Sequence, residues 1–352
     1  MQKIGIIGGG IRGGMYAHSL RGFPGADVRA VCDISEPAAH KVAADFGLTP
    51  YTDHRAMLAD EDLDAVIVAT PDFAHRDAAV DAARAGLHLL VEKPLATTAE
   101  DTEAIRAAVG EAGVQCMVGF ENRWNPAVRR IHDLAAAGEL GRVLTQNILL
   151  SNTTHVPTRM IGWAARSSPA WFLMSHTVDA ALWVNGRTVT SVDARGSRGR
   201  LAALGVDTWD VVHALLTFDD GTTASLTSTW VLPETMPSVV DFQFQAVGET
   251  SAVYVDLQDQ SVRHAGPDGF RWPGLLGGEI DGRLQGPPTW MVQDFVTRLE
   301  NGEPVGPGLD TGAVVTDVVL AVHRSLETGA TVTVPARTAG IRTADFRTAD
   351  FR

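Results

Sequence analysis

Two hydrophobic rhythms divide the chain. Up to about residue 120, short apolar stretches at 3–7, 28–32, 65–69, 88–91 and 115–119 alternate with segments whose apolar residues recur at helical spacing. Strand and helix in regular alternation predict a parallel, doubly wound sheet, because parallel neighbours need crossover connections. Beyond about residue 125 the rhythm changes to long strand-like runs at 143–152, 191–198, 211–218, 222–230 and 239–247. Few helices intervene, so these runs predict a mostly antiparallel sheet. Asp219-Asp220-Gly221-Thr222 between two of them is a hairpin signal. Helical spacing returns at 289–299 and 311–326, and 331–334 reads as a last strand. The expected α/β organisation is a first domain over 1–122, a second over 123–335 and a tail over 336–352, with the C-terminal helix free to pack on either domain. The tail repeats Arg342-Thr343-Ala344-Asp345-Phe346 as Arg347-Thr348-Ala349-Asp350-Phe351, which reads as a mobile extension.

The first strand stops at Gly8-Gly9-Gly10-Ile11-Arg12-Gly13, a G-x-G-x-x-G spacing followed by a helix-like segment. Gly8 permits the tight turn, Gly10 lets backbone N–H groups approach phosphate, and Gly13 lets the helix pack closely on the strand. The helix N-terminus adds positive dipole, so Gly8, Gly10, Ile11, Arg12 and Gly13 are candidate dinucleotide-binding residues. The second strand ends at Asp33, at the offset expected of a carboxylate that holds the adenosine ribose. That acid favours NAD over NADP, because a 2′-phosphate would meet like charge and Ile34-Ser35-Glu36 supplies no arginine.

At 352 residues, with 45% hydrophobic and 20% charged positions, the chain has material for two cores and little for extended disorder. A net charge of −13 disfavours nucleic acid and anionic membranes as partners. Cys32 and Cys116 lie in strand-like segments and read as small buried hydrophobes, and no disulfide framework is expected. The glycine turn begins too soon for a signal peptide and no apolar run is long enough to span a bilayer, so a cytoplasmic, soluble protein is expected. No histidine pair has the His-Glu-x-x-His spacing, no metal site is expected, and no G-x-S-x-G elbow supports a serine hydrolase.

Ligands of doubly wound sheets bind at the carboxyl edge, which here collects Thr70-Pro71 with His75 and Glu92-Lys93-Pro94. Thr70, Pro71, His75, Glu92 and Lys93 are therefore candidates for the nicotinamide side. With the Gly119-Phe120-Glu121-Asn122-Arg123-Trp124-Asn125-Pro126 junction and Ser175-His176-Thr177-Val178-Asp179, these motifs make the chain resemble the Gfo/Idh/MocA family of NAD(P)-dependent sugar and cyclitol dehydrogenases, over nearly its whole length. The resemblance implies a Rossmann domain, a C-terminal α/β domain with a large, mostly antiparallel, open-faced sheet, and a homodimer or homotetramer built through that sheet. It also implies that Lys93 and His176 act at the reacting carbinol. Oxidising a secondary alcohol requires a proton to leave oxygen as hydride leaves carbon, so His176 suits the base and Lys93 the cation that steadies the alkoxide, with the roles open to exchange.

One position departs from the family. Where many members carry an aspartate four residues before the histidine, this chain has Phe172, and Asp179 is the nearest substitute acid. The resemblance also brings the 152–159 segment into the substrate site, which makes His155, Arg159, Trp163 and Asp179 candidate substrate residues. Trp163 and Trp171 fit either sugar stacking or packing, whereas Trp183 reads as core. Arg195, Arg198 and Arg200 read as a solvated strand end. The expected activity is NAD-dependent hydride transfer at a secondary hydroxyl or ketone of a sugar, sugar derivative or inositol. The alternatives are an NAD-dependent glycoside-cleaving enzyme working by oxidation and elimination, and a catalytically silent nucleotide-binding sensor.

Overall fold

The computed structural model describes residues 1–258 and 278–337, together with the strand backbones His264–Gly266 and Gly269–Arg271. Two compact units divide the chain: Met1–Trp124 with Gly277–Ala313, and Asn125–Leu276 with Val314–Arg352.

The first unit runs β1 (Gln2–Ile7), α1 (Ile11–Leu20), β2 (Ala26–Cys32), α2 (Glu36–Phe46), β3 (Thr49–Tyr51), α3 (His54–Asp60), β4 (Ala65–Val68), α4 (His75–Arg84), β5 (His88–Val91), α5 (Ala99–Ala112) and β6 (Cys116–Val118). These strands form one parallel sheet in the order β3-β2-β1-β4-β5-β6. That order reverses direction between β1 and β4, the switch point where such folds bind ligands. The central strands are apolar on both faces; Ala65, Val66, Ile67 and Val68 of β4 have no exposed surface. Such continuous burial is what a sheet covered on both sides requires. The sequence rhythm misses β3, which is three residues long and holds Pro50, too short to show a period of two.

The second unit begins with α6 (Pro126–Ala136), β7 (Val143–Asn152), α7 (Ser175–Asn185), β8 (Val189–Ser197), α8 (Arg200–Ala203), β9 (Val211–Phe218), β10 (Thr223–Thr229), β11 (Val240–Gly248) and β12 (Ala252–Asp256). Two short hairpins follow along the chain, β13 (His264–Gly266) with β14 (Gly269–Arg271) and, in the stretch that returns to the first unit, β15 (Gly278–Ile280) with β16 (Arg283–Gln285). Then come α9 (Pro287–Asn301), α10 (Leu309–Thr328) and β17 (Val332–Thr333). The large sheet has the order β12-β11-β7-β10-β9-β8-β17. It is mixed: β10 lies parallel to β7 at its centre, and the other neighbours are antiparallel. Along β9, Val212, Ala214 and Leu216 are buried while His213 and Leu215 face outward, the period of two of a sheet covered on one face only.

Helix α9 explains why 277–313, read from the sequence as second-domain chain, groups with the first unit. Its Met291, Val292, Phe295, Val296 and Leu299 join Tyr16, Ala17 and Leu20 of α1 in one core cluster with β1, β2 and β4. The sequence shows the apolar stripe but not which sheet it covers. Arg337 donates both guanidinium arms to Asp317 of α10, so the start of the expected tail is anchored; its tandem repeat lies outside the described residues. Among the described residues no helix is long and apolar enough to cross a membrane.

Candidate active site

The turn from β1 to α1 is built as its glycines require. Gly8 has φ +106°, and a Cβ there would sit 2.4 Å from the Ala69 carbonyl oxygen. A Cβ on Gly13 would lie 1.8 Å from the Gly8 carbonyl oxygen, so only glycine lets α1 start this close to the turn. Gly10 caps α1, with nothing within 4 Å of where its Cβ would point, and Ile11 beside it is exposed. That open cradle at a helix N-terminus fits a dinucleotide diphosphate. Asp33 stands just past β2, where its carboxylate accepts N–H bonds from Gly9 and Ser35, both 2.8 Å, and is held beside the turn. Ile34, the next residue, is 97% exposed.

Thr70 and Pro71 follow β4 and Glu92 and Lys93 follow β5, so parallel pairing brings them to the same sheet edge as the glycine turn. Glu92 and Lys93 are buried. The Glu92 carboxylate is the hub of a charged network: Tyr16 donates its hydroxyl to Oε1, the Nε of Arg12 lies 3.0 Å from the same oxygen, and the backbone N–H of Lys93 donates to Oε2 at 3.1 Å. The other arm of Arg12 reaches Oε1 of Glu121 at 2.9 Å. Arg12, read from the sequence as a cofactor contact, therefore has its guanidinium committed to two carboxylates.

Burial pushes the Lys93 ammonium below the ordinary lysine range, and Arg12 adds to that; Glu92, Glu121 and Asp72 pull the other way. Tyr16 is pushed well above the usual phenol range by burial and by Glu92. His75 is fully enclosed, with Nδ1 2.8 Å from the Pro94 carbonyl oxygen and Nε2 3.0 Å from that of Thr70. Burial holds its imidazole below the ordinary range against the pull of Asp72 and Glu92. It braces the two strand ends against each other, and both ring nitrogens face backbone oxygens. Thr70 donates its hydroxyl to the Ala74 carbonyl at 3.1 Å.

In the second unit, His176 and Asp179 are buried on α7. A π-helical turn, Ala170–Met174, runs directly into that helix. Phe172 sits in this wider turn, where α-helical counting does not hold, and its ring tilts against Trp163 at 6.0 Å and Trp230 at 5.6 Å. An aromatic group thus occupies the place where the sequence comparison leads one to look for a carboxylate. His155 leads into the π-helical turn Val156–Met160, and the exposed Arg159 lies 3.5 Å from Glu234. Trp171 is core, stacked on His323 at 5.0 Å, and Trp183 is core, stacked on His132 at 4.1 Å. Arg198 caps the Trp209 ring at 4.3 Å, as a solvated strand-end arginine can.

Tyr16, Asp72 and Glu121 join this site without being among the candidate residues of the sequence motifs. The available signal was a charged residue, Glu121, placed between the apolar β6 and the next turn at the carboxyl edge, where an acid has no packing reason to be. The described residues hold no group of three or more His, Cys, Asp or Glu side chains suited to a metal ion.

A doubly wound sheet with this glycine turn, an acid at the end of β2 and a buried lysine at the switch edge defines a nucleotide-dependent oxidoreductase. Residues 2–120 match the oxidoreductase family described as an NAD-binding Rossmann fold, and 128–254 match the GFO/IDH/MocA C-terminal domain. The chain belongs to the Gfo/Idh/MocA family and is an NAD-binding oxidoreductase. It is 31% identical over 227 residues to the uncharacterized oxidoreductase YrbE of Bacillus subtilis strain 168, covering 62% of this chain and 64% of that protein. It is 29% identical over 353 residues to the myo-inositol dehydrogenase Hyg17 of Streptomyces leeuwenhoekii, covering 95% of this chain and 100% of that protein. The crystal structure of GenD2 from gentamicin A biosynthesis, in complex with NAD, superposes with a TM-score of 0.83 at 26% identity, over 95% of this chain and 97% of that one.

Proposed function

We propose that the protein is an NAD-dependent dehydrogenase that oxidises a secondary hydroxyl of a sugar, sugar derivative or inositol, or reduces the corresponding ketone. The observation that carries this is Lys93: a lysine held at the switch edge beside the glycine turn, buried so that its ammonium is pushed below the ordinary lysine range against the pull of neighbouring carboxylates. The relative named as a myo-inositol dehydrogenase, matched over its full length, supports a polyol as the substrate class.

Bound NAD would supply the hydride acceptor. Gly8, Gly10, Ile11 and Gly13 would hold its diphosphate and Asp33 its adenosine ribose, with Thr70, Pro71 and Glu92 shaping the nicotinamide side. Asp33 selects NAD by charge. In this reading Lys93 hydrogen-bonds the carbinol oxygen and manages its proton, and burial makes that transfer accessible nearer neutral pH than for a solvated lysine. His176 serves as the second proton-handling group, without an aspartate one turn before it. His155, Arg159, Trp163 and Asp179 contribute to substrate recognition, Trp163 and Phe172 offering an apolar ring face to sugar C–H groups. A homodimer or homotetramer through the seven-stranded sheet suits an open face that displays Leu215 and Tyr254, and two free buried cysteines suit the reducing cytoplasm.

The test is to incubate the purified protein with NAD or NADP and a panel of inositols, monosaccharides and glycosides, following cofactor absorbance and product mass. The expected result is substrate-dependent NADH and a product two hydrogens lighter. Glycoside cleavage without net NADH would replace this reading with oxidation and elimination. Nucleotide binding with no product across the panel would favour a sensor.

A further inference from the structure

Lys93 does not sit in a neutral hydrophobic pocket. Four charged side chains face it: Glu92 beside it in sequence, Glu121 from the turn after β6, Asp72 from the turn after β4, and Arg12 from the first turn of α1. Arg12 is the only cation among the four, and it touches two of the three acids, at 3.0 Å to Glu92 and 2.9 Å to Glu121. Tyr16, one turn further along α1, fixes the same oxygen of Glu92 that Arg12 engages. His75 closes the site from α4 through the carbonyls of Thr70 and Pro94.

We propose that Arg12 and Glu121 are positioning residues that set the charge of Lys93, Arg12 as the cation that ties Glu92 to Glu121 and Glu121 as the acid that opposes it. The physical case is simple. A carboxylate a few ångströms from an ammonium favours the charged form, and a guanidinium bound to that carboxylate cancels most of the effect. Burial alone would drive Lys93 neutral, and three uncompensated carboxylates would lock it protonated. One guanidinium shared between two of them leaves a partial negative field, under which the lysine can give and take a proton.

The two positions carry opposite predictions. Arg12→Gln removes the counterweight and exposes Lys93 to both carboxylates, so its titration midpoint should rise by about one pH unit. Glu121→Gln removes one carboxylate while keeping Arg12, so the midpoint should fall by about the same amount. Arg12→Lys keeps the charge and should stay nearer the wild-type midpoint than Arg12→Gln does.

The chain allows a direct reading, because its 29 basic residues include only three lysines: Lys3, Lys41 and Lys93. Trace labelling of the full-length protein with isotopic acetic anhydride across pH, read by mass spectrometry on the three lysine peptides, reports the Lys93 midpoint with Lys3 and Lys41 as internal references. Opposite shifts in Arg12→Gln and Glu121→Gln support the proposal. Unchanged midpoints, or shifts of the same sign in both, overturn it. Should Arg12→Gln fail to fold, as shown by far-ultraviolet circular dichroism, Glu121→Gln decides the matter alone: a lowered midpoint supports the proposal, an unmoved or raised one overturns it. The inference rests on the assignment of Lys93 to the proton step, but the labelling needs neither substrate nor cofactor. Failure of the dehydrogenase reading would appear in the NAD reduction panel and leave these midpoints untouched.

Discussion

In the proposed reading Asp33 selects NAD over NADP, and its hydrogen bonds give a physical basis for that role. Both carboxylate oxygens are tied to backbone N–H groups, from Gly9 and Ser35, so the charge cannot swing away from an incoming 2′-phosphate. Asp33→Ser combined with Ile34→Arg should remove the like charge and place a cation at an exposed position. The ratio of kcat/KM for NADP over NAD should then rise at least about tenfold, a change of roughly 1.4 kcal/mol in relative transition-state binding. A ratio unmoved by that double substitution would show that another residue discriminates. The glycine turn and the acid after β2 show in the sequence because both are local features. The network around Glu92 does not, since Tyr16, Arg12 and Glu121 meet only through the parallel pairing of distant strands.

At the scale of elements, strands and helices with a clear period were legible and those that are short or irregular were not. The three-residue β3 and the parallel placement of β10 against β7 carry no pattern of their own. Phe172 is the more instructive case. Counting back four residues from His176 assumes an α-helix, but Ala170–Met174 is a π-helical turn, and the ring joins Trp163 and Trp230. Helix α10 also carries a titratable element. His323 stacks on Trp171, its Nε2 lies 3.1 Å from the Ser168 hydroxyl, and burial with help from Arg198 pushes it down to about 4 from 6.5. The unfolded chain binds the proton more readily, so the stability from keeping His323 neutral is complete above about pH 6.5 and declines as pH falls toward 4, by roughly 3 kcal/mol in all. Urea unfolding at pH 7, 5 and 4 should show that decline in the wild type and a flatter one in His323→Gln. Equal slopes would remove His323 from the account.

At the scale of the whole molecule, the apolar stripe of α9 shows in the sequence, but the sheet that it covers does not. Helix α9 returns to the first unit because its apolar stripe completes the core around Tyr16 and Leu20. The open face of the seven-stranded sheet displays Leu215 at 46% and Tyr254 at 71% exposure. If that face joins copies of the chain, Leu215→Glu with Tyr254→Lys should lower the sedimenting mass to that of the 37.5 kDa protomer while leaving thermal stability of the protomer nearly unchanged. A mass unaffected by both substitutions would place the contact elsewhere.

In the proposed reaction a carbinol hydrogen passes to the nicotinamide with the help of Lys93. The most direct measurement uses the best substrate from the panel, deuterated at the oxidised carbon, and mass spectrometry of the recovered cofactor from wild type and Lys93→Met. The account predicts deuterium in the reduced cofactor, formed in step with the ketone, and a rate about 10²- to 10⁴-fold lower in Lys93→Met with NAD affinity nearly intact. Reduced cofactor without the label, or a Lys93→Met enzyme that works at the wild-type rate, would contradict it.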